Sequence, residues 1–198
     1  MRIFDVGCGF GNPPVRAAVQ ADDDVIGLDI SAESLNVART RYPHRQFVGG
    51  RAEQLPFLDG SFDRVVSSVS LPYTDIPSAL AEARRVLTKT GTVFMALHSW
   101  CFTLQELRTA LPRPTASIFR MYVLLNGLLF HLTGRTLKFA NGRTESFQTK
   151  RGIRLALNRA GFTNVVFRTP DGRLIVEAMV AHPAPRGVLD SSIPSSAA

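Results

Sequence analysis

The sequence is poor in the residues that build covalent or metal-held scaffolds. Its 198 residues include two cysteines, Cys8 and Cys101, too few for a disulfide framework and without zinc-ligand spacing. No cluster of His, Cys, Asp and Glu has metal-ligand spacing, so no metal is expected. There is no run of like charges, although 23 Lys+Arg against 16 Asp+Glu give a net charge of +7. The basic residues are scattered, and the excess reads as a mild bias toward anionic partners rather than a nucleic-acid footprint. No long apolar run is present. The most apolar stretch, Met121 to Leu132, is about half of the ~20 residues a membrane span needs, and it contains Asn126 and His131. The opening Met-Arg-Ile-Phe-Asp leads into no apolar region with a cleavage site, so it reads as a strand and not as a signal peptide. A cytoplasmic protein is the default.

What is present is the composition of one globular domain: 45% apolar, 20% charged, mean hydropathy +0.06. Strands and helices alternate. Residues 3–6 form a short apolar strand running into a glycine turn, and Pro13 and Pro14 suit the first turn of a helix reaching about Ala21. A second strand covers Val25 to Leu28, and Ser31 N-caps the helix after it. Phe47-Val48, Phe62 to Val69 and Thr92 to Leu97 supply strands three to five, with a helix from Asp75 to Leu87 before the fifth. Such alternation predicts a parallel sheet with right-handed crossovers.

After His98 the rhythm breaks. Residues 99–147 hold apolar helical segments separated by Pro112, Pro114, Gly127, Gly134 and Gly142. A helix from Thr149 to Ala160 resumes the pattern. Two strands follow, Asn164 to Arg168 and Arg173 to Val180, and the Pro170-Asp171-Gly172 turn between them makes that pair antiparallel. From His182 on, Pro, Ser and Ala predict a disordered tail.

The first constellation with chemical meaning is Asp5-Val6-Gly7-Cys8-Gly9-Phe10-Gly11. It is headed by an acid, and its glycines let a ligand lie against the backbone. A dinucleotide fingerprint would need a third glycine at position 12, which is Asn12. On its own, the heptapeptide also has the lesser reading of a glycine-rich turn without a ligand. Asp29 changes the weighing. An acid at the tip of the second parallel strand faces the crevice at the carboxyl edge, where it can accept two ribose hydroxyls, although it could also serve the dipole of the next helix. Ile30 beside it can pack on an adenine face.

With these residues the chain resembles the class I S-adenosylmethionine-dependent methyltransferases, in particular the branch related to the ubiquinone and menaquinone enzymes. The likeness is carried by D-V-G-C-G-F-G, V-I-G-L-D-I-S, G-G-R-A-E-Q-L-P-F-L-D-G-S-F-D-R-V-V-S-S and A-E-A-R-R-V-L-T-K-T-G-T-V-F-M-A, in that order. It covers residues 3–98 well and 148–181 more loosely. The resemblance implies a Rossmann-like α/β fold: a mostly parallel seven-stranded sheet with an antiparallel last strand and a helical insert after strand five. Residues 1–181 would form a single methyltransferase domain. The cofactor implied is S-adenosyl-L-methionine. Asp5, Gly7, Gly9 and Gly11 would border its methionine part, Asp29 would take the ribose and Ile30 the adenine. Arg51 and Ala52 would sit at the adenine edge, and Ser70 near the sulfonium. Two departures stand out. Arg51 occupies a position where relatives carry Asp, and Arg has only donors. Relatives also carry helices ahead of strand one, and this sequence opens on the strand. The cover over the cofactor is then expected from the insert, from a second subunit, or from neither.

The acceptor is open. His98 at the tip of strand five and Tyr73 after strand four are the candidate general bases, with His131 behind them; each also has a purely structural reading. Ser70-Leu71-Pro72-Tyr73 sits where nucleic-acid amino-methyltransferases carry a polar residue followed by Pro-Pro-aromatic, but Leu71 replaces the first proline. The apolar insert either packs on the sheet, offers a face for a homodimer, or lines a pocket for an apolar or aromatic small molecule. Methyl transfer to such a molecule is the leading reading. The alternatives are a cofactor-binding protein without activity and a nucleic-acid methyltransferase.

Overall fold

The computed structural model describes residues 1–12, 19–20, 22–97, 103, 105, 106, 108, 114–170 and 173–181. His98, the expected first helix, the 170–172 turn and the tail from 182 fall wholly or mostly outside these residues. Seven strands form one sheet in the order β3-β2-β1-β4-β5-β7-β6. They are β1 (Arg2–Val6), β2 (Asp24–Asp29), β3 (Gln46–Gly49), β4 (Phe62–Ser68), β5 (Leu87–Leu97), β6 (Phe162–Arg168) and β7 (Leu174–Val180). Pairing is parallel from β3 through β5, and β7 lies antiparallel between β5 and β6. The strand order reverses at β1, and the tips of β1, β2 and β4 meet there, as they do at the ligand crevice of doubly wound sheets.

Local chemistry explains the helices. Ser31 caps α1 (Ala32–Arg41) by accepting from the Ser34 N–H. Helix α2 (Ile76–Val86) buries Ile76, Ala79, Leu80, Ala83 and Val86 on one side. It runs directly into β5, which begins five residues earlier than the Thr92 start expected from sequence, because Leu87 already pairs with Phe62, before an irregularity in the ladder after which Thr92 pairs with Arg64. Thr149 caps α4 (Lys150–Arg159) through the Gly152 N–H. The larger core lies between the sheet and α2 and α4, with Phe4, Phe57 and Phe62 in mutual ring contact at 4.9 to 5.0 Å. Arg85 of α2 explains the L-P-F-L-D word. Its guanidinium donates to Leu55 O, Phe57 O and Asp59, while Glu82, held by the same Arg85, accepts from the Leu55 N–H.

The insert differs from the sequence reading. One unbroken helix, α3 (Pro114–Thr133), replaces the expected segments, and Gly127 does not interrupt it. By length and composition Ala116–Thr133 could cross a membrane, but α3 is anchored to the domain through Val123, Asn126 and Phe130. Gly127 is a contact glycine: a Cβ there would overlap the ring of Phe147. Alanine would gain about 1 kcal/mol of helix propensity, whereas overpacking costs about 1–3 kcal/mol. Gly127→Ala is therefore expected to lower the urea midpoint, with a net loss of stability of up to ~2 kcal/mol. A stabilised variant would mean that Phe147 is free to leave.

Candidate functional site

The turn that leaves β1 carries three glycines at positive φ: Gly7 at 75°, Gly9 at 52° and Gly11 at 76°. They serve different ends. A Cβ on Gly7 would overlap Ser70, so the turn runs flush against the tip of β4. A Cβ on Gly11 would come within 3.0 Å of Ala38, Tyr42 and Phe47, so this glycine lets the turn pack on α1 and β3 instead of facing a ligand. A Cβ on Gly9 would meet nothing within 4 Å.

Hydrogen bonds fasten the turn to β2. The Gly7 and Cys8 N–H groups both donate to Leu28 O, at 2.7 and 3.0 Å. The Gly9 N–H donates to Asp29 Oδ2 at 2.8 Å, and the Ser31 N–H donates to Asp29 Oδ1 at 2.9 Å. A carboxylate has about four acceptor positions, so Asp29 keeps capacity on each oxygen for a ligand's hydroxyls. At β4, Ser70 Oγ donates to Val6 O at 2.7 Å; the 2.7 Å contact with Ser67 Oγ must then be donated by Ser67. Val69, expected within the strand, instead turns the chain at φ 66°. For a β-branched residue this conformation costs about 1–3 kcal/mol, and the Val69 N–H bond to Ala96 O (2.8 Å) helps hold it.

Between these tips lies a cleft of about 250 Å³, lined in part by Gly7, Asp29, Ile30, Ala52, Ser70 and Tyr73. Arg51 lines it too, with its guanidinium 3.5 Å from Glu53, a second carboxylate at the same wall. Asp5, Gly9 and Gly11 do not line the cleft. Asp5 lies buried below the turn, and Gly11 does packing work. A second cavity of about 440 Å³ shares Ile30, Arg51, Glu53 and Tyr73 with the first and is otherwise polar, bordered by Asn141, Arg143, Thr144 and Glu145.

Tyr73 walls both cavities. Burial, then the charges of Glu145 and Glu106, push its phenol above the ordinary tyrosine range. At neutral pH it therefore holds its proton, which suits it to donate a hydrogen bond more than to act as a base. Next to it is a group that sequence reasoning missed. Arg120 pairs with Glu106 at 2.9 Å and with Glu145 at 2.6 Å, and burial pushes the Glu145 carboxyl upward. The hydroxyl of Ser146 and Oε1 of Gln148, both buried here, have no hydrogen-bond partner among the described residues. The available signal was that Glu106 and Glu145 bracket a long stretch without acids. His131 is outside the cleft and bonds Thr149 Oγ1 at 2.9 Å.

Asp5 has the clearest electrostatic signature. Burial pushes its carboxyl from 3.8 up to about 7, opposed by Arg45 and assisted by Asp29. With the folded value above the unfolded one, its contribution to stability is whole below about pH 4 and is lost as pH rises through about 7. Asp5→Asn cannot ionise, so its thermal midpoint should gain on that of the wild type steadily from about pH 4 to pH 8. A difference that does not change with pH would show that Asp5 ionises freely in the fold.

Comparison with known proteins agrees with this geometry. Residues 4–95 match the family model described as a methyltransferase domain. The chain is 30% identical over 175 residues to a demethylmenaquinone methyltransferase of Lactiplantibacillus plantarum, covering 84% of this chain and 72% of the relative. It is 34% identical over 172 residues to a malonyl-[acyl-carrier protein] O-methyltransferase of Geobacter sulfurreducens, covering 83% and 56%. Of several other curated relatives it spans about half the length or less. Among solved structures, the Haemonchus contortus phosphoethanolamine N-methyltransferase 2 in complex with S-adenosyl-L-methionine shares the fold with a TM-score of 0.63 at 15% identity, over 92% of this chain and 49% of that one.

Proposed function

The chain belongs to the class I S-adenosylmethionine-dependent methyltransferases, and on that premise we propose that it methylates a small acceptor, apolar or aromatic around the receiving atom. The observation that carries this reading is the Asp29 clasp, which holds the glycine turn against the tip of β2 and leaves carboxylate acceptor positions facing the cleft. The residues present fit the cofactor. Asp29 suits the ribose hydroxyls, the exposed Ile30 side chain suits one adenine face, and Ala52 lies at the adenine edge. The turn at Gly7 and Gly9 leaves room for the methionine part, with Asp5 beneath it. Arg51, paired with Glu53, leaves a carboxylate at the wall where relatives carry Asp.

When bound, S-adenosylmethionine supplies a methyl group already activated on a sulfonium. What this chain adds is position. The acceptor atom must lie in line, about 3 Å from the methyl carbon and shielded from water. In this reading the 440 Å³ cavity receives the acceptor, Tyr73 orients it by donating a hydrogen bond, and residues 99–147 cover the site within a single domain spanning 1–181. Of the acceptor classes in the relatives' names, demethylmenaquinone, with its aromatic ring system, suits the wall made by the Tyr73 ring better than malonyl-[acyl-carrier protein]. A cytoplasmic location belongs to the same reading.

Titration calorimetry with S-adenosylmethionine and S-adenosylhomocysteine tests the proposal. Both should bind, and Asp29→Ala should weaken them at least about tenfold, the worth of roughly one charge-assisted hydrogen bond. Lack of binding at millimolar concentration would remove the reading. An unchanged affinity in Asp29→Ala would mean that the ribose lies elsewhere.

A further inference from the structure

The outer side of α3 carries an apolar stripe that the cleft does not use. Ile118, Met121, Leu125, Leu128 and Leu132 are each between 51% and 63% exposed. Their spacing of three and four residues puts them on one side of the helix, opposite Val123, Asn126 and Phe130, which hold it to the domain. At about 100 Å² apiece the five form a patch of about 500 Å², at the upper end of what isolated monomers expose. No charge interrupts it. Arg120, the one Arg, Lys, Asp or Glu in the helix sequence, pairs with Glu106 and Glu145.

Charge identifies what covers the stripe. Residues 106–145 contain six Arg or Lys (Arg108, Arg113, Arg120, Arg135, Lys138 and Arg143) and two acids, Glu106 and Glu145, both paired with Arg120, so this segment accounts for +4 of the net +7. Arg135 and Lys138 are exposed and follow the stripe directly in the chain, while Arg143, also exposed, borders the 440 Å³ cavity. A second copy seated on the stripe would bring two such segments, of the same sign, together. An anionic lipid surface would neutralise them. We propose that α3 docks the protein laterally on an anionic bilayer, with the apolar stripe at the headgroup–acyl boundary and Arg135 and Lys138 among the phosphates. The helix lies along the membrane and does not cross it, because its inner side stays in the domain core.

Co-sedimentation of the full chain with vesicles tests this. The protein should pellet with vesicles of phosphatidylglycerol and phosphatidylcholine in about equal parts, far less with pure phosphatidylcholine, and less as salt rises. A variant combining Leu125→Glu and Leu128→Glu changes only exposed positions; it should keep the wild-type thermal midpoint and lose vesicle affinity at least about tenfold. Arg135→Glu with Lys138→Glu should weaken binding to the anionic vesicles. The proposal is overturned if neither vesicle pellets the protein, or if the leucine variant binds as tightly as the wild type. It is also overturned if light scattering shows a wild-type dimer that the leucine variant converts to monomer, because the stripe would then be a self-interface. Docking does not depend on the methyl acceptor. Vesicle binding without S-adenosylmethionine binding would sink the proposed function alone, and the reverse result would sink the docking alone.

Discussion

The active end of this protein depends on one anchoring arrangement, the backbone of the first turn held on the tip of β2. Two N–H groups converge on Leu28 O, and a third meets Asp29, whose other oxygen holds the start of α1. Each bond contributes only about 0.5–1.5 kcal/mol net, with the charge-assisted ones higher. Their combined effect is geometric. The turn cannot rise away from the sheet, and the cleft keeps its floor without a ligand. Ser70 closes the third side by bonding Val6 O against a glycine that leaves no room for a side chain. Pre-organisation of this kind lowers the ordering cost of binding.

The first half of the fold was legible because its signals are local. Strand, glycine turn, strand tip acid and capped helix follow one another within about 40 residues, and every one of these choices agrees with a parallel sheet. The same holds for the antiparallel last pair, signalled in the sequence by Pro170-Asp171-Gly172. Asp29, Ile30, Ala52, Ser70 and Tyr73 fall on one cleft because strand tips at a reversal of strand order meet by topology. Gly11 and Asp5 have structural work that the motif does not announce: one relieves packing on α1 and the other is buried beneath the turn.

What stayed hidden was long-range. Nothing local marks Val69 as the residue that takes a strained backbone, since the strain is imposed by Ser70 and Ala96. Gly127 looks like a helix breaker until Phe147, twenty residues on, is seen to occupy the space above it. The Glu106–Arg120–Glu145 cluster is assembled from three separate segments, and no periodicity reports such a meeting. The apolar insert was expected to face inward or to a partner. Ile118, Met121, Leu125, Leu128 and Leu132 instead point outward, while the cavity beside the cleft is rimmed by Asn141, Arg143 and Glu145. One segment thus presents a polar rim to the cavity and a greasy helix face outward.

The most direct measurement is a crystal structure of the full chain with S-adenosylhomocysteine. Both ribose hydroxyls should lie within hydrogen-bonding distance of the Asp29 carboxylate while the Gly9 and Ser31 N–H groups still donate to it. A nucleoside bound away from the tips of β1 and β2, or an Asp29 released from the turn, would contradict the reading.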